Sequence, residues 1–116
     1  ICVIPNFFYL TLAKNTGAAF SLLENQTIFF ILIGVLVIFY IFNYLIKDKM
    51  STLEKISYIF LTGGIIGNLI DRIIYGYVVD YLRFIIFGYN FPIFNLADIC
   101  ITIGVILLII NMLRKE

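Results

Sequence analysis

The stretch GGIIGNLIDRIIYGYVVDYLRFIIFGYNFPIFNLAD, residues 63–98, decides how this chain is organised. It holds three of the seven acidic residues, Asp71, Asp80 and Asp98. Asp71 ends one apolar segment, Asp98 begins the next, and Asp80 lies in the connection between them. An ionised carboxylate at the edge of a hydrocarbon layer is costly, so each one needs a partner or a function. Three carboxylates gathered on one side of a membrane would form a candidate active site.

The composition indicates an integral membrane protein. Of the 116 residues, 63% are hydrophobic and only 13% are charged, whereas a soluble domain carries roughly a quarter charged residues. The excess apolar surface therefore has to contact lipid, and the length allows one domain over residues 1–116. The net charge is +1 and there is no basic run, which argues against a nucleic-acid partner.

The absence of histidine narrows the chemistry that the chain can perform. It removes His-based zinc sites, Ser-His-Asp triads and Cys-His dyads together. The two cysteines, Cys2 and Cys100, fit neither a metal-ligand spacing nor a disulfide framework. Carboxylates are therefore the candidate reactive groups, and we expect neither a bound metal nor a cofactor.

Three apolar segments are long enough to cross a bilayer. Residues 28–46 carry no charge and would form a helix of about 28 Å. Residues 56–71 form a shorter second span, in which Gly63 and Gly67 are predicted to make a stripe of small residues for close helix contact. Residues 95–113 form the third span.

The segments outside these spans differ in character. Residues 1–27 are predicted to form a strand and a loop, because residues 5–13 alternate with a period of two. Residues 47–55 form a short polar loop. Residues 72–94 are rich in tyrosine and β-branched residues, which predicts extended structure at the membrane surface, with a short amphipathic helix as the alternative.

The positive-inside rule predicts the orientation. If the loop 47–55 and the C-terminus are cytoplasmic, that side holds five Lys and Arg residues and the other side holds three. The three aspartates of the central stretch then lie at the outer face. The predicted fold class is mainly α and integral to the membrane, with three transmembrane helices and a small extracytoplasmic β element.

Each aspartate has a structural alternative to catalysis. Asp98 follows Asn95 by three residues and fits a capping box, and a helix N-terminus would favour its anionic form as a base. For Asp80 the alternative is a surface ion pair with Arg83. Asp71 lies at a helix C-terminus, where the macrodipole disfavours an acid, and is interpreted as structural.

Several functions remain open at this point. Two carboxylates held close together share one proton, so that one activates water and the other donates to a carbonyl, as in aspartic proteases. Binding of Mg²⁺ or Ca²⁺ is disfavoured because no D-x-D spacing is present. A small transport or ion-pathway protein could use the same outer-face aspartates as a relay, and an assembly subunit could use the glycine stripe.

Four segments together resemble the motif blocks of the bacterial lipoprotein signal peptidases, also called signal peptidase II. These segments are NTGAAFSLL (15–23), GGIIGNLIDR (63–72), VVDY (78–81) and FNLAD (94–98). The resemblance runs in order across most of the chain. It implies a membrane aspartyl endopeptidase that removes signal peptides from diacylglyceryl-modified prolipoproteins, cleaving before the lipidated cysteine.

The resemblance also assigns roles to individual residues. Asp80 and Asp98 stand where the family has its catalytic dyad. The residues that would shape and stabilise the site are Asn15, Asn68, Asp71, Arg72 and Asn95. The family fold has four helices and a small β-sheet cradle, and its first helix has no counterpart before Ile1.

The resemblance finally implies where the protein acts and on what. The expected partners are a lipidated prolipoprotein and membrane lipid, and the expected state is a monomer. The expected location is the bacterial cytoplasmic membrane, with several passes and the active site at the extracytoplasmic face.

Overall fold

The computed structural model describes residues 1–17, 25–47 and 49–114. Its helices are α1 (Thr27–Lys47), α2 (Thr52–Tyr75) and α3 (Leu96–Arg114). Its strands are β1 (Cys2–Ile4), β2 (Phe8–Asn15), β3 (Val78–Ile86) and β4 (Tyr89–Asn90). All three helices are long and apolar enough to cross a membrane. The predicted fold class, three apolar helices with a small antiparallel sheet, is therefore confirmed.

The interior of the described part of the chain is unusually polar. Its buried hydrophobic residues are Ile41 and Val78 alone. Its buried polar or charged residues are Glu54, Ser57, Asn68, Asp80, Asn95 and Asn111. Lipid solvates the outward-facing leucines and isoleucines as well as a protein core would, so close packing and hydrogen bonds must hold the helices together.

Two glycines bring α2 and α3 into backbone contact. A Cβ added to Gly64 would lie 2.5 Å from the carbonyl oxygen of Ala97, and one added to Gly104 would lie 2.8 Å from the backbone nitrogen of Leu61. The glycine stripe predicted from the sequence is wrong at Gly63, which has no atom within 4 Å of such a Cβ. Gly67, the other member of the predicted stripe, does face α3, because a Cβ added there would lie 3.4 Å from Ala97 Cβ.

Helix α2 is longer than the predicted span of 56–71. Ser51 caps its start, where the Ser51 hydroxyl accepts a hydrogen bond from the Glu54 backbone N–H at 3.2 Å. Gly76 ends it in a left-handed conformation with φ 81°, and its N–H donates to the Arg72 carbonyl. The predicted interfacial segment 72–94 therefore begins with a helical turn instead of extended chain.

The strands form one antiparallel sheet in the order β1-β2-β3-β4. The pairing of β2 with β3 places Ala13 opposite Asp80 and Asn15 opposite Val78, beyond an irregularity between Leu10 and Ala13. Residues 78–86 are extended, as predicted, and do not form the alternative amphipathic helix. Most of the motif block 15–23, namely residues 18–23, lies outside the described residues.

Three backbone hydrogen bonds tie the sheet to the residues just before α3. The N–H groups of Tyr81 and Leu82 both donate to the Phe94 carbonyl, at 3.0 and 2.8 Å, and the Phe94 N–H donates to the Leu82 carbonyl at 3.1 Å. The middle of β3 therefore lies beside the residues that precede α3. This contact brings Asp80 next to the first turn of α3.

Candidate active site

Asp98 is held by the first turn of α3. Its backbone N–H donates to the Asn95 side-chain oxygen at 2.9 Å, and its carboxylate Oδ2 accepts from the Asn95 backbone N–H at 3.2 Å. This reciprocal pair is the capping box that the sequence predicts. The helix N-terminus favours the anionic form of a carboxylate placed here.

Asp80 lies in β3 and is only 3% exposed. The Asn95 side-chain amide donates to Asp80 Oδ1 at 2.8 Å, and the Asn15 side chain supplies a further hydrogen bond. The suggested ion pair with Arg83 is not formed, because Arg83 lies three residues along the strand and so on the opposite face. Arg83 instead donates to Asn90 at 3.3 Å.

Asn95 is the residue that joins the two carboxylates. Its side-chain amide contacts Asp80 and its backbone N–H contacts Asp98, and the same amide donates to the Asn68 oxygen at 3.2 Å. Asn68 in turn donates to Asp98 Oδ1 at 3.2 Å. Both asparagines are buried. The two carboxylates are therefore held by one connected pair of amides, Asn68 from α2 and Asn95 from the cap of α3.

Asp71 and Arg72 attach the end of α2 to neighbouring segments. Asp71 Oδ2 accepts from the Val79 backbone N–H at 3.2 Å, which fixes β3 directly before Asp80. The Arg72 guanidinium donates to the Gly17 carbonyl at 2.9 Å and lies 4.9 Å from the centre of the Phe30 ring. Asp71 therefore holds the strand that carries Asp80.

The surroundings of Asp80 favour its protonated form. Burial raises the pKa of its carboxyl to about 6, and the negative charge of Asp98 acts in the same direction. The hydrogen bonds from Asn15 and Asn95 and the positive charge of Arg72 partly oppose this shift. The local electrostatics therefore favour a proton on Asp80.

Known proteins resemble this chain over most of its length. A family model described as signal peptidase (SPase) II matches residues 1–114. The chain belongs to the signal peptidase II family. Signal peptidase II is an aspartic peptidase, so this chain is a membrane-spanning enzyme that removes signal peptides. Neither the transport alternative nor the assembly-subunit alternative gains support.

Individual relatives of this peptidase agree with the family assignment. The lipoprotein signal peptidases of Staphylococcus aureus strains JH9 and Newman are each 43% identical to it over 113 residues, which are 97% of this chain and 69% of the relative. A bacterial membrane enzyme solved by the in meso method at 2.3 Å superposes with a TM-score of 0.90 at 41% identity, covering 97% of this chain and 70% of that one. A second, solved at 1.9 Å, gives 0.86 at 40% identity, with coverage of 100% and 76%.

One contact at the site of the peptidase was not predicted. The Tyr81 hydroxyl accepts a hydrogen bond from the Leu96 backbone N–H at 3.1 Å, so it satisfies a free donor at the start of α3. The only sequence signal was its position next to Asp80. Tyr81 therefore holds the strand and the helix together from the face of β3 opposite Asp80.

A small apolar cavity lies beside the site, between α1 and α2. Its volume is about 170 Å³, and Asn68 and Arg72 line it together with apolar residues of the three helices. The cavity therefore connects the polar residues next to Asp98 with the part of the bundle that faces lipid.

Proposed function

We propose that this peptidase removes the signal peptide from diacylglyceryl-modified prolipoproteins, cleaving before the lipidated cysteine, with Asp80 and Asp98 as its catalytic pair. The observation that carries the proposal is that one residue, Asn95, contacts both carboxylates. The 43% identity of this chain to lipoprotein signal peptidases supports the choice of substrate. An aspartic mechanism requires one carboxyl that is protonated and can act as the acid, and the pKa of Asp80, raised to about 6, suits Asp80 to this role.

The proposed mechanism gives each carboxylate one role at a time. Asp98, anionic at the helix N-terminus, takes a proton from water while the water oxygen attacks the scissile carbonyl carbon. Asp80 donates its proton to the carbonyl oxygen, which gives a neutral tetrahedral diol. The diol then returns a proton to Asp80, the C–N bond breaks, and Asp98 protonates the departing amine.

The remaining site residues are proposed to position this pair. Asn15 and Asn95 hold Asp80, and Asn68 holds Asp98. Asp71 fixes β3 through the Val79 N–H. The positive charge of Arg72 lowers the free-energy cost of burying two carboxylates close together.

We propose the outer face of the bacterial cytoplasmic membrane as the place of cleavage, with the enzyme working as a monomer. The charge asymmetry of the chain supports this orientation. The apolar cavity between α1 and α2 supports lateral entry of a lipid-linked substrate, because it joins the lipid-facing surface to Asn68 beside Asp98.

The substrate assignment is tested with one precursor in two forms. In lipid nanodiscs, the enzyme is expected to release the signal peptide from a diacylglyceryl-modified precursor and to leave the unmodified precursor intact. Mass spectrometry of the product locates the cleaved bond. Because the mechanism uses carboxylates alone, EDTA is expected to leave the rate unchanged. Equal cleavage of both precursors, or loss of cleavage in EDTA, would contradict the proposal.

The pH profile tests the assignment of Asp80 as the proton donor. Above a pKa of about 6 the carboxyl of Asp80 loses the proton that it must donate, so kcat/KM is expected to fall as the pH rises through that value. The hydrogen bond from Asn15 lowers this pKa. Asn15→Ala is therefore expected to raise the pKa of Asp80 and to move the alkaline limb of the profile to higher pH.

Asn90→Ala is the matched control for this measurement. Asn90 is in the same sheet, but its side-chain oxygen accepts from Arg83 on the face away from Asp80. Its alkaline limb is expected to coincide with that of the wild type. A limb that moved to lower pH in Asn15→Ala, or that moved equally in both variants, would refute the role of Asp80.

A further inference from the structure

The turn between β3 and β4 presents a large apolar side chain in an unfavourable position. Phe87 and Gly88 both have positive φ, 49° and 79°, which is the pattern of a type I′ hairpin turn. Glycine adopts this conformation easily, but a bulky residue rarely does. The Phe87 side chain is also fully exposed. A strained backbone that holds an exposed phenylalanine indicates a function for that side chain.

Phe87 belongs to a larger apolar surface at one end of the sheet. The β1–β2 turn lies at the same end, because Phe8 pairs with Phe84 and the Ile85 N–H donates to the Phe7 carbonyl. We define the sheet-tip patch by its exposed members, Val3, Ile4, Phe7, Ile86, Phe87, Tyr89 and Phe91. Neither residues 2–13 nor residues 84–94 include a charged side chain.

The two faces of the sheet differ in polarity. Asp80 faces the helices, and the same face continues outward to Phe84, which stacks on Phe8 at 4.6 Å and on Phe94 at 5.8 Å. The two cations of the sheet, Lys14 and Arg83, lie on the face away from the helices. In the register of the strands, Lys14 pairs with Val79 and Arg83 pairs with Tyr9. Toward the tip of the sheet, the side that faces the helices is therefore apolar, whereas the side away from them carries the cations.

The dimensions of the molecule show that the sheet lies across the helix bundle. Helix α2 has 24 residues and β3, which starts three residues after it, has 9. If β3 continued along the axis of α2, the pair would be about 66 Å long. The longest dimension of the molecule is 47 Å and the next is 32 Å. β3 therefore does not continue along the helix axis, and its hydrogen bonds to Phe94, which precedes α3, keep it from folding back along the bundle. The strands run sideways over the ends of the helices.

We propose that the sheet-tip patch inserts into the lipid leaflet beneath the sheet and anchors the strand that carries Asp80. A sheet that extends sideways from the ends of three membrane-spanning helices places its tip over the surrounding bilayer. An apolar underside, a cationic upper side and aromatic residues at the rim are what a membrane–water interface accommodates. Lipid is therefore the occupant of this patch, in preference to a second copy of the chain.

The absence of tryptophan allows a direct test. Phe87→Trp places a single tryptophan at the tip of the patch, and Lys14→Trp places one on the cationic face as the matched control. In nanodiscs, the emission of Phe87→Trp is expected to shift to the blue and to be quenched by lipids brominated along the acyl chain. The emission of Lys14→Trp is expected to be quenched by aqueous iodide instead.

The proposal is overturned if iodide quenches the emission of the Phe87→Trp variant and brominated lipid does not. A blue-shifted emission that brominated lipid does not quench, but that depends on the protein-to-lipid ratio, would overturn the proposal in favour of contact between copies of the chain. Both measurements are independent of peptidase activity, so they stand whatever the fate of the proposed substrate.

A second variant separates insertion from folding. Phe87→Asn creates an Asn-Gly turn, which the type I′ geometry prefers, so the hairpin is expected to fold at least as well. With Tyr89→Trp as the reporter, adding Phe87→Asn is expected to reduce quenching by brominated lipid and increase quenching by iodide. Unchanged quenching of the reporter would show that Phe87 does not anchor the sheet.

Discussion

Asp80→Asn is expected to lower the rate of signal-peptide cleavage by about 10²–10⁴-fold, the usual contribution of a positioned acid or base. The amide cannot donate a carboxylic proton, although it occupies the same volume. Asp80 is buried, and the oxygen of the new amide can still accept the hydrogen bond that the Asn95 amide donates to Asp80 Oδ1. The loss should therefore appear in kcat while the protein remains folded in the membrane.

Asp98→Asn is expected to cause a loss of the same size for a different reason. The amide oxygen that this substitution introduces could still accept from the Asn95 N–H, so the cap of α3 is preserved. What disappears is the base that activates water. Because the two groups act as one unit, the double variant should be little worse than either single one. Cleavage of a lipidated precursor and the melting temperature in detergent measure the two effects separately.

Glu54→Gln serves as the control for both variants. Among the described residues, the buried carboxylates are Asp80 and Glu54. Glu54 lies in the first turn of α2, at the end of the bundle away from Asp98. The same change from carboxylate to amide there is expected to leave kcat near the wild-type value. If Asp80→Asn or Asp98→Asn cleaved at that rate, the assignment of the pair would be wrong.

Gly64→Ala is expected to lower both the stability and the activity. The added methyl would lie 2.5 Å from the Ala97 carbonyl oxygen and 2.6 Å from Ile101 Cγ1, so α2 and α3 must separate. Overpacking of this kind costs about 1–3 kcal/mol. The separation also moves Asn68 away from Asp98, since these residues join the same two helices. We expect a lower melting temperature in detergent together with slower cleavage.

Gly63→Ala is the control, because it makes the same substitution one residue earlier on the same helix. No atom lies within 4 Å of the added methyl, so neither the melting temperature nor the cleavage rate should fall. Equal behaviour of the two variants would show that α2 and α3 do not pack through Gly64.

The close packing at Gly64 bears on how the site is kept in place. In lipid, apolar burial does not drive helices together, so a small-residue contact and the buried amides of Asn68 and Asn95 have to supply the association. The same amides bind the two carboxylates. Substitutions in this polar core should therefore affect stability and cleavage together.

Much of the fold could be predicted from the sequence because its signals are local. A bilayer requires helices of a certain length, so runs of apolar residues near 28–46 and 95–113 predict the helices α1 and α3. The capping box of Asn95 and Asp98 depends on a spacing of three residues, which any helix start places in contact. The period of two near residues 5–13 predicts β2 for the same reason.

Some errors arose where local signals were present but incomplete. The ends of α2 depend on Ser51 and Gly76, whose side-chain and backbone geometry extend the helix beyond its uncharged part. The sequence predicts the glycine contact at Gly63 and Gly67, whereas the structure places Gly64 and Gly67, but not Gly63, against α3. One residue is about 100° of rotation on a helix, and only the position of α3 decides which face of α2 is covered.

The sequence by itself determined that this chain spans a membrane, belongs with the signal peptidases and carries aspartates at the ends of its helices. The resemblance grouped Asn15, Asn68 and Asn95 with the site, but only the tertiary structure decided which carboxylate each of them contacts. These contacts join distant parts of the chain, since Asn15 lies in β2 and Asn68 in α2. Their formation depends on the register of β2 with β3 and on the crossing of α2 with α3, which no local pattern encodes.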